Sequence, residues 1–317
     1  MPGGAGRPPS AGSHRPRRRL PPRLAGLLLA AQTAALPAQS TIAAREELDF
    51  DRPEAWAMKY AGTVVAFTPL APQRAAPAGR FELALEVASV PSLSSAERRL
   101  GFNGTKVEDI DRAPVFARLR ASLALPRGFV AELGVVPPVE LDGLEPRFVA
   151  LALSRSLAAG RRFALGARGQ AQYGTLTGDI TCSRSDVAAG DDPARNPLGC
   201  TAPSDDELEL VLAGGELVLA LVPARSGGLA PYLALGAQHL SGTFRVDARY
   251  AGLRDRTRLE ADGWTWLVAL GARGDLAPAW SLAGELVYSP LDIRRPGSDS
   301  ETDAVVNFRL AVSRRWR

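Results

Sequence analysis

The chain is poor in the residue types that carry most protein chemistry. Its 317 residues include only two histidines, His14 and His239, and two cysteines, Cys182 and Cys200, so no cluster with metal-ligand spacing exists. Lysine occurs only as Lys59 and Lys106. Long apolar runs are equally scarce. The one sustained run, 24–36, follows Arg15, Arg17, Arg18, Arg19 and Arg23, carries Gln32 and Thr33, and is closed by Pro37 and the small residue Ala38. It is too short for a membrane-spanning helix and has the layout of a secretory signal peptide, 1–38, with cleavage expected after Ala38. No cysteine follows at that point, which argues against a lipid anchor.

Removing 1–38 takes away six arginines and no acid, leaving 32 basic against 34 acidic residues and moving the net charge from +4 to −2. The basic balance of the whole chain therefore points to no nucleic-acid partner. In an exported chain, Cys182 and Cys200 read as a disulfide, closing a polar stretch that holds Asp191, Asp192, Pro193, Asn196 and Pro197. Tying a loop of this length restricts the unfolded chain by roughly 3 kcal/mol. No histidine lies near either sulfur in sequence, and neither a metal nor a cofactor is expected.

What the chain has in quantity is alternation with period two. Phe81, Leu83, Leu85 and Val87 oppose Glu82, Ala84, Glu86 and Ala88; Val306, Phe308, Leu310 and Val312 oppose Asn307, Arg309, Ser313 and Arg315. The apolar faces carry almost no charge over about ten residues, the length a tilted strand needs to cross a bilayer. Ten strands are predicted, at 79–90, 114–125, 128–137, 147–157, 161–177, 207–222, 229–244, 263–275, 278–289 and 304–316. Short connections alternate with long ones, 91–113, 137–146, 178–206, 245–263 and 290–303, and both ends are placed on the short-turn side. Phe81, Phe129, Phe163, Tyr232 and Trp280 each open a strand at that side, while Trp264, Trp266, Phe148 and Tyr288 fall near the other rim. Two aromatic girdles are expected at those levels. The reading is an all-β, transmembrane, antiparallel up-and-down barrel over 77–317.

Segment 39–76 precedes the barrel. Asp51-Arg52-Pro53-Glu54 looks like a helix start, with Asp51 as cap, and predicts a short helix over 52–66 with Trp56, Tyr60 and Val64 on one stripe. The competing reading makes 57–70 a strand and raises the count to twelve. Gly214-Gly215 reads as a bulge inside one strand.

The export signal, alternating strands, aromatic belts and terminal amphipathic strand together resemble the bacterial outer-membrane β-barrel class. That resemblance implies outer-membrane localisation, contact with outer-membrane lipids and lipopolysaccharide, and handling by the barrel-assembly machinery. Members of the class usually end on an aromatic residue, whereas here Trp316 is penultimate and Arg317 follows. His239-Leu240-Ser241 resembles the His-x-Ser element of outer-membrane lipid A deacylases. The matching acid is missing, since Leu253 stands twelve residues beyond Ser241, and Asp247 or Glu260 are the nearest substitutes. The strand count is similar to that of the omptin surface proteases, but Gln238 and Leu240, not acids, flank His239.

The inward faces gather Glu82, Glu86, Arg118, Arg120, Glu132, Arg162, Arg168, Gln170, Arg273, Glu285, Arg309 and Arg315. With both signs in a narrow barrel, these groups are expected to pair across the lumen rather than line an open pore. Loop acids Asp109, Asp111, Asp191, Asp192, Asp205 and Asp206 read as solvated charge. The expected role is non-enzymatic: a porin-like, narrow channel for small hydrophilic solutes, or a structural and surface-interaction protein. The alternatives are a lipid-modifying hydrolase built on His239 and Ser241, and a soluble secreted β-sandwich binding protein. A sandwich requires Phe81, Leu83, Leu85 and Val87 to be buried between two layers.

Overall fold

The structure is a computed structural model that describes residues 40–72, 76–222 and 228–316. The signal peptide expected over 1–38 lies outside the described residues. Ten antiparallel strands, each hydrogen-bonded to its chain neighbour, form the wall: β1 Phe81–Ser89, β2 Val115–Ala124, β3 Phe129–Val136, β4 Leu144–Ala159, β5 Phe163–Gly178, β6 Asp206–Leu221, β7 Ala230–Arg245, β8 Arg258–Ala277, β9 Trp280–Arg294 and β10 Ser300–Trp316. The sheet closes where β10 meets β1, Trp316 opposite Phe81 and Arg309 opposite Ala88. Closure removes both sheet edges, which is what allows a β-structure to meet hydrocarbon.

The alternation sorts cleanly across this wall. Phe81, Leu83, Leu85 and Val87 are outside, 37–50% exposed, while Glu86 and Ala88 are buried inside. Leu119, Leu151, Leu217, Leu235, Leu270 and Phe308 continue the outer apolar belt. A sandwich, with its apolar residues between layers, is thereby excluded.

Two features differ from the sequence expectation. Strands β8, β9 and β10 run past the predicted ends, so the loop expected over 290–303 is a tight hairpin between Arg294 and Ser300. The β-ladder outlasts the apolar belt there, because polar strand ends still pair in water. Gly214-Gly215 is not a bulge: the register of β6 with both β5 and β7 is unbroken through it. Gly214 faces inward between Gln170 and Gln238, and the missing side chain lets those amides meet at 3.0 Å. Segment 40–50, which the sequence pattern left unplaced, stands at the long-loop rim, while both ends of the barrel, Phe81 and Trp316, lie at the short-turn side as expected. Ser40–Ile42 pairs in parallel with Leu253–Asp255, and Arg45–Glu47 adds in parallel to Arg258, Leu259 and Glu260 of β8.

From that rim α1, Pro53–Val65, enters the barrel. Pro53 at the first turn suits the helix start, but Arg52 rather than Asp51 is the cap residue and no side chain caps it. Asp51 instead accepts Arg294 through its carbonyl and carboxylate. Trp56 and Tyr60 stack at 5.6 Å, and Val64 is buried with them, although burial extends well beyond that one stripe. A helix enclosed by a barrel has no solvent face, which is why its amphipathic signal is weak.

Beyond α1, residues 66–70 continue down the lumen without regular structure, Phe67 wholly buried and Leu70 in the left-handed region at φ 50°. Its ring lies against Gly134 of β3, where an added Cβ would come within 2.7 Å of the ring. We expect Gly134→Val to displace Phe67 and destabilise the barrel by about 1–3 kcal/mol, the usual cost of overpacking. Gly169→Ala, on the outer face with its nearest neighbour at 3.9 Å, should be neutral. Heat-dependent mobility of the folded species on gels reads both.

Candidate functional site

The lumen has three levels, and the middle one is a charged collar around the end of α1. The last carbonyls of a helix have no partner within it and carry the negative end of its dipole. Here barrel arginines supply the donors. Arg118 donates to the carbonyls of Val65 and Ala66 (3.1 Å), and Arg309 to those of Thr63 (3.1 Å), Val64 (3.2 Å) and Ala66. Arg120 donates to the Thr68 carbonyl at 2.8 Å and Arg168 to that of Phe67 at 2.6 Å.

The same arginines are neutralised by acids of the wall. Glu86 lies 3.3 Å from Arg118, 3.0 Å from Arg120 and 3.8 Å from Arg309. Glu132 joins Arg120 (3.0 Å) to Arg168 (2.9 Å), and Glu216 closes on Arg168 at 2.9 Å. Glu285 accepts from the Thr68 hydroxyl, from Leu70 N at 3.2 Å and from the Tyr232 hydroxyl at 2.8 Å. Arg118, Arg120 and Arg168 also cover the Phe67 ring, 4.2–5.3 Å from its centroid.

Below the collar, at the short-turn end, a polar vestibule of about 410 Å³ is lined by Glu82, Arg273 and Arg315 among others. Arg273 pairs with Glu82 at 2.7 Å and Arg315 with Asp275 at 2.7 Å. Above the collar lies a chamber of about 590 Å³ between α1 and the wall. Met58, Ala61, Val65, Phe116, Phe148 and Leu208 are typical of its lining. The lining also includes Glu46, Arg52, Glu54, Glu108 and Asp255, which are engaged with one another or with neighbours: Arg52 donates to Glu46 and to Glu54 (3.2 Å), Lys106 holds Glu108 at 2.5 Å, the Tyr250 hydroxyl donates to Asp255 at 2.5 Å, and the Tyr60 hydroxyl donates to the Pro91 carbonyl.

The residues expected to face inward are placed as follows. Glu86, Arg118, Arg120, Glu132, Arg168, Glu285 and Arg309 meet in the collar, Gln170 pairs with Gln238 beside it, and Glu82, Arg273 and Arg315 belong to the vestibule. Arg162 does not join them; it precedes β5 and is exposed at the rim. Sequence reasoning missed Glu216, hidden behind the supposed bulge, and Thr68, whose segment carries no periodic signal.

In the girdles, Phe81, Phe163, Trp280, Trp264, Trp266 and Tyr288 are exposed on the outer surface, and Phe129 is half-buried beneath Arg155. Tyr232 is a correction: it is 2% exposed and points inward, in phase with buried Ala230 and Ala234, while Leu233 and Leu235 take the outer face. Phe148 likewise turns inward, to the chamber. An aromatic at the start of a strand marks a level along the axis, but the phase of its neighbours decides the face.

His239 lies on the outer face near the long-loop rim, edge-on to Trp264. Its Nε2 is 3.4 Å from Asp262, which stands opposite Ser241 in the β7–β8 ladder. The acid nearest His239 is therefore neither Asp247, paired with Arg254, nor Glu260, paired with Arg45. Among the described residues no hydrogen bond joins His239 to Ser241, the link that would activate a nucleophile. Cys182 and Cys200 form the disulfide of the β5–β6 loop. Loop acids bond locally: Asp206 accepts from Thr181 N, Ser204 and Asp247 N, and Asp111 from Leu93 N.

Two predictions follow from the collar and the loop above it. Arg309→Ala removes donors to three carbonyls and should speed amide exchange over 63–70 at least tenfold, with a stability loss of about 3–5 kcal/mol typical of a broken buried ion network. Arg309→Lys, unable to fork across three carbonyls, should recover only part of it. In the loop, burial pushes the Glu108 carboxyl up to about 7 against the pull of Lys106. A raised carboxyl favours the folded loop when protonated; that contribution is whole below the ordinary value of 4.5, declines as pH rises and is gone above about 7. Proteolysis of the β1–β2 loop should accordingly be faster at pH 8 than at pH 5, and Glu108→Gln should flatten the difference.

No family model and no curated protein matches the chain. Similar solved structures include the COG4313 outer membrane channel from Pseudomonas putida F1, 12% identical with a TM-score of 0.41 over 79% of this chain and 100% of that one. The outer membrane protease OmpT from Escherichia coli is 9% identical, TM-score 0.38, over 75% and 94%. Ail, the attachment invasion locus protein of Yersinia pestis, is 11% identical, TM-score 0.30, over 75% and 99%. All three are bacterial outer-membrane proteins, and likeness at this level assigns no family.

Proposed function

We propose that the chain is a bacterial outer-membrane barrel that takes up an uncharged, apolar small molecule into its outer chamber, above a lumen closed by its own N-terminal segment. The observation that carries this reading is the stacking of a mostly apolar cavity of about 590 Å³ on a largely buried collar of paired charges. A cavity in the 300–1,000 Å³ range lined mostly by apolar and aromatic side chains suits a drug-sized apolar ligand. Charged solutes would exchange hydration for a wall that offers them little in return.

The collar argues against a constitutively open channel for small hydrophilic solutes. Its guanidinium groups hold the backbone of 63–68 from several sides, and water filling that level would first have to break those bonds. The apolar belt with its aromatic girdles is the surface that outer-membrane lipids and lipopolysaccharide would contact, and such a barrel would depend on the barrel-assembly machinery. His239 and Ser241 fit a polar pair at the headgroup level, beside Trp264, better than a hydrolytic centre; Ser241→Ala should leave lipid A composition unchanged.

The test uses the protein in lipid nanodiscs with a dodecyl diazirine as probe and mass spectrometry to locate the adducts. Labelling is expected at Met58, Phe116 and Phe148, falling about tenfold in Ala61→Phe, which fills the chamber from α1. Adducts confined to outer-belt residues such as Leu85 and Leu151 would overturn the proposal. In planar bilayers the unliganded protein should show no discrete openings, and Arg118→Ala/Arg309→Ala should introduce them.

A further inference from the structure

The wall beside the chamber is incomplete. The β2–β3 ladder runs from Ala124↔Val130 only to Leu119↔Val135, and β3 ends at Val136, where Pro137 and Pro138 follow. Proline has no N–H to give to a ladder, so two in succession end the strand. The neighbours continue past that point. On β2, Val115, Phe116, Ala117 and Arg118 pair with Ser89, Ala88, Val87 and Glu86 of β1 on one side. Among the described residues they have no strand partner on the other. On β4, Leu144, Glu145, Pro146 and Arg147 pair with β5, and only Leu144 turns back, to bridge Leu141. Where β3 has ended, β2 and β4 stand about two strand spacings apart, roughly 10 Å, with only the segment 137–143, outside any strand ladder, crossing between them and Leu141 of it lining the chamber.

This opening has a sill, two posts and a lintel. The sill is the last β2–β3 pair and Val136; the posts are β2 and β4; the lintel is the Arg112–Asp179 ion pair at 2.8 Å, which reaches from the β1–β2 loop to the end of β5. The chamber reaches it. Phe116 and Phe148, one on each post, line the cavity from inside, and so does Val115, which by the phase of Ala117 and Leu119 belongs to the outer face and is 42% exposed. A residue of the outer face that also lines an internal cavity marks a place where the two spaces join.

Its depth suits lipid. The nine residues of β1 reach from the short-turn girdle at Phe81 to Ser89, opposite Val115. At ~3.3 Å per residue and a tilt of about 40°, that is a height of roughly 22 Å, close to the top of an apolar band about 25 Å tall. Unpaired strand groups are tolerated at that boundary because headgroups and water can satisfy them, whereas deeper in hydrocarbon they would not be.

We infer that an apolar hydrocarbon ligand enters and leaves the chamber sideways, between β2 and β4, exchanging directly with the outer leaflet rather than through the axial mouth. This rests on the apolar-chamber reading and adds a route to it. Lateral exchange spares such a molecule the aqueous phase, in which every exposed CH₂ is unfavourable.

The experiment follows the rate of chamber labelling by the dodecyl diazirine when nanodiscs carrying the protein are mixed with vesicles preloaded with the probe. Ala117→Trp narrows the opening from the outer face, outside both the collar and the chamber lining. It should slow loading at least tenfold while the final extent stays within twofold of the parent. Val139→Trp, on the segment crossing the opening but not lining the chamber, is the second variant should the first fold poorly. Unchanged rates in both, with Ala61→Phe still abolishing chamber labelling, would remove the lateral route and leave the chamber standing. A fall in final extent to the Ala61→Phe level would also overturn it, since Ala117 would then shape the chamber rather than its entrance. Absence of chamber labelling in the parent protein would remove both readings.

Discussion

Everything in the lumen depends on arginines meeting the open end of a helix. Burying Arg118, Arg120, Arg168 and Arg309 together with Glu86, Glu132, Glu216 and Glu285 costs several kcal/mol per ion, and pairing offsets that only if each group is fully engaged. Wall-to-wall pairs alone leave guanidinium protons over. The terminal carbonyls of α1 take up most of them, leaving Arg168 Nη2 and Glu216 Oε1 without a partner among the described residues, and in exchange the helix gains the cap its own sequence lacks. Collar and plug are thus two halves of one hydrogen-bond network, each of which would be destabilising without the other.

The levels above and below follow from that constraint. With charge concentrated in one ring, the outer half of the lumen is free to be apolar, and α1 presents Met58, Ala61 and Val65 to it. Small residues tune the fit: Gly62 brings α1 close to Leu240, and Gly134 seats the ring over which three arginines gather. Below, Arg273 and Arg315 make pairs as short but partly exposed, which solvent screening leaves weak.

Much of the wall was legible in the chain because period-two alternation survives in every strand, as in Phe81 to Val87 or Val306 to Val312. Most members of the collar were visible for the same reason. The interior was not. Residues 66–70 have no periodicity, since a segment bonded by its backbone leaves its side chains unpatterned, and α1 is buried too widely to show a clear stripe. Glu216 was obscured by the glycine pair before it. Tyr232 was misplaced because an aromatic at a strand end reports height and not face. The contact of His239 with Asp262 depends on the β7–β8 register, which no local spacing encodes. The gap beside β3 is written only as Pro137-Pro138, a signal that reads equally well as an ordinary loop start.

The path of segment 40–72 sets an order on assembly. It begins among the strands of the outer rim, runs through the ring and emerges at the opposite end before β1 starts, so the closed cylinder encircles its own leading segment. A finished ring would have to be threaded, whereas an open sheet can simply be wrapped around it. The seam between Phe81 and Trp316 is therefore the stitch that must be drawn last, once the Arg309 strand has found the helix end it encloses.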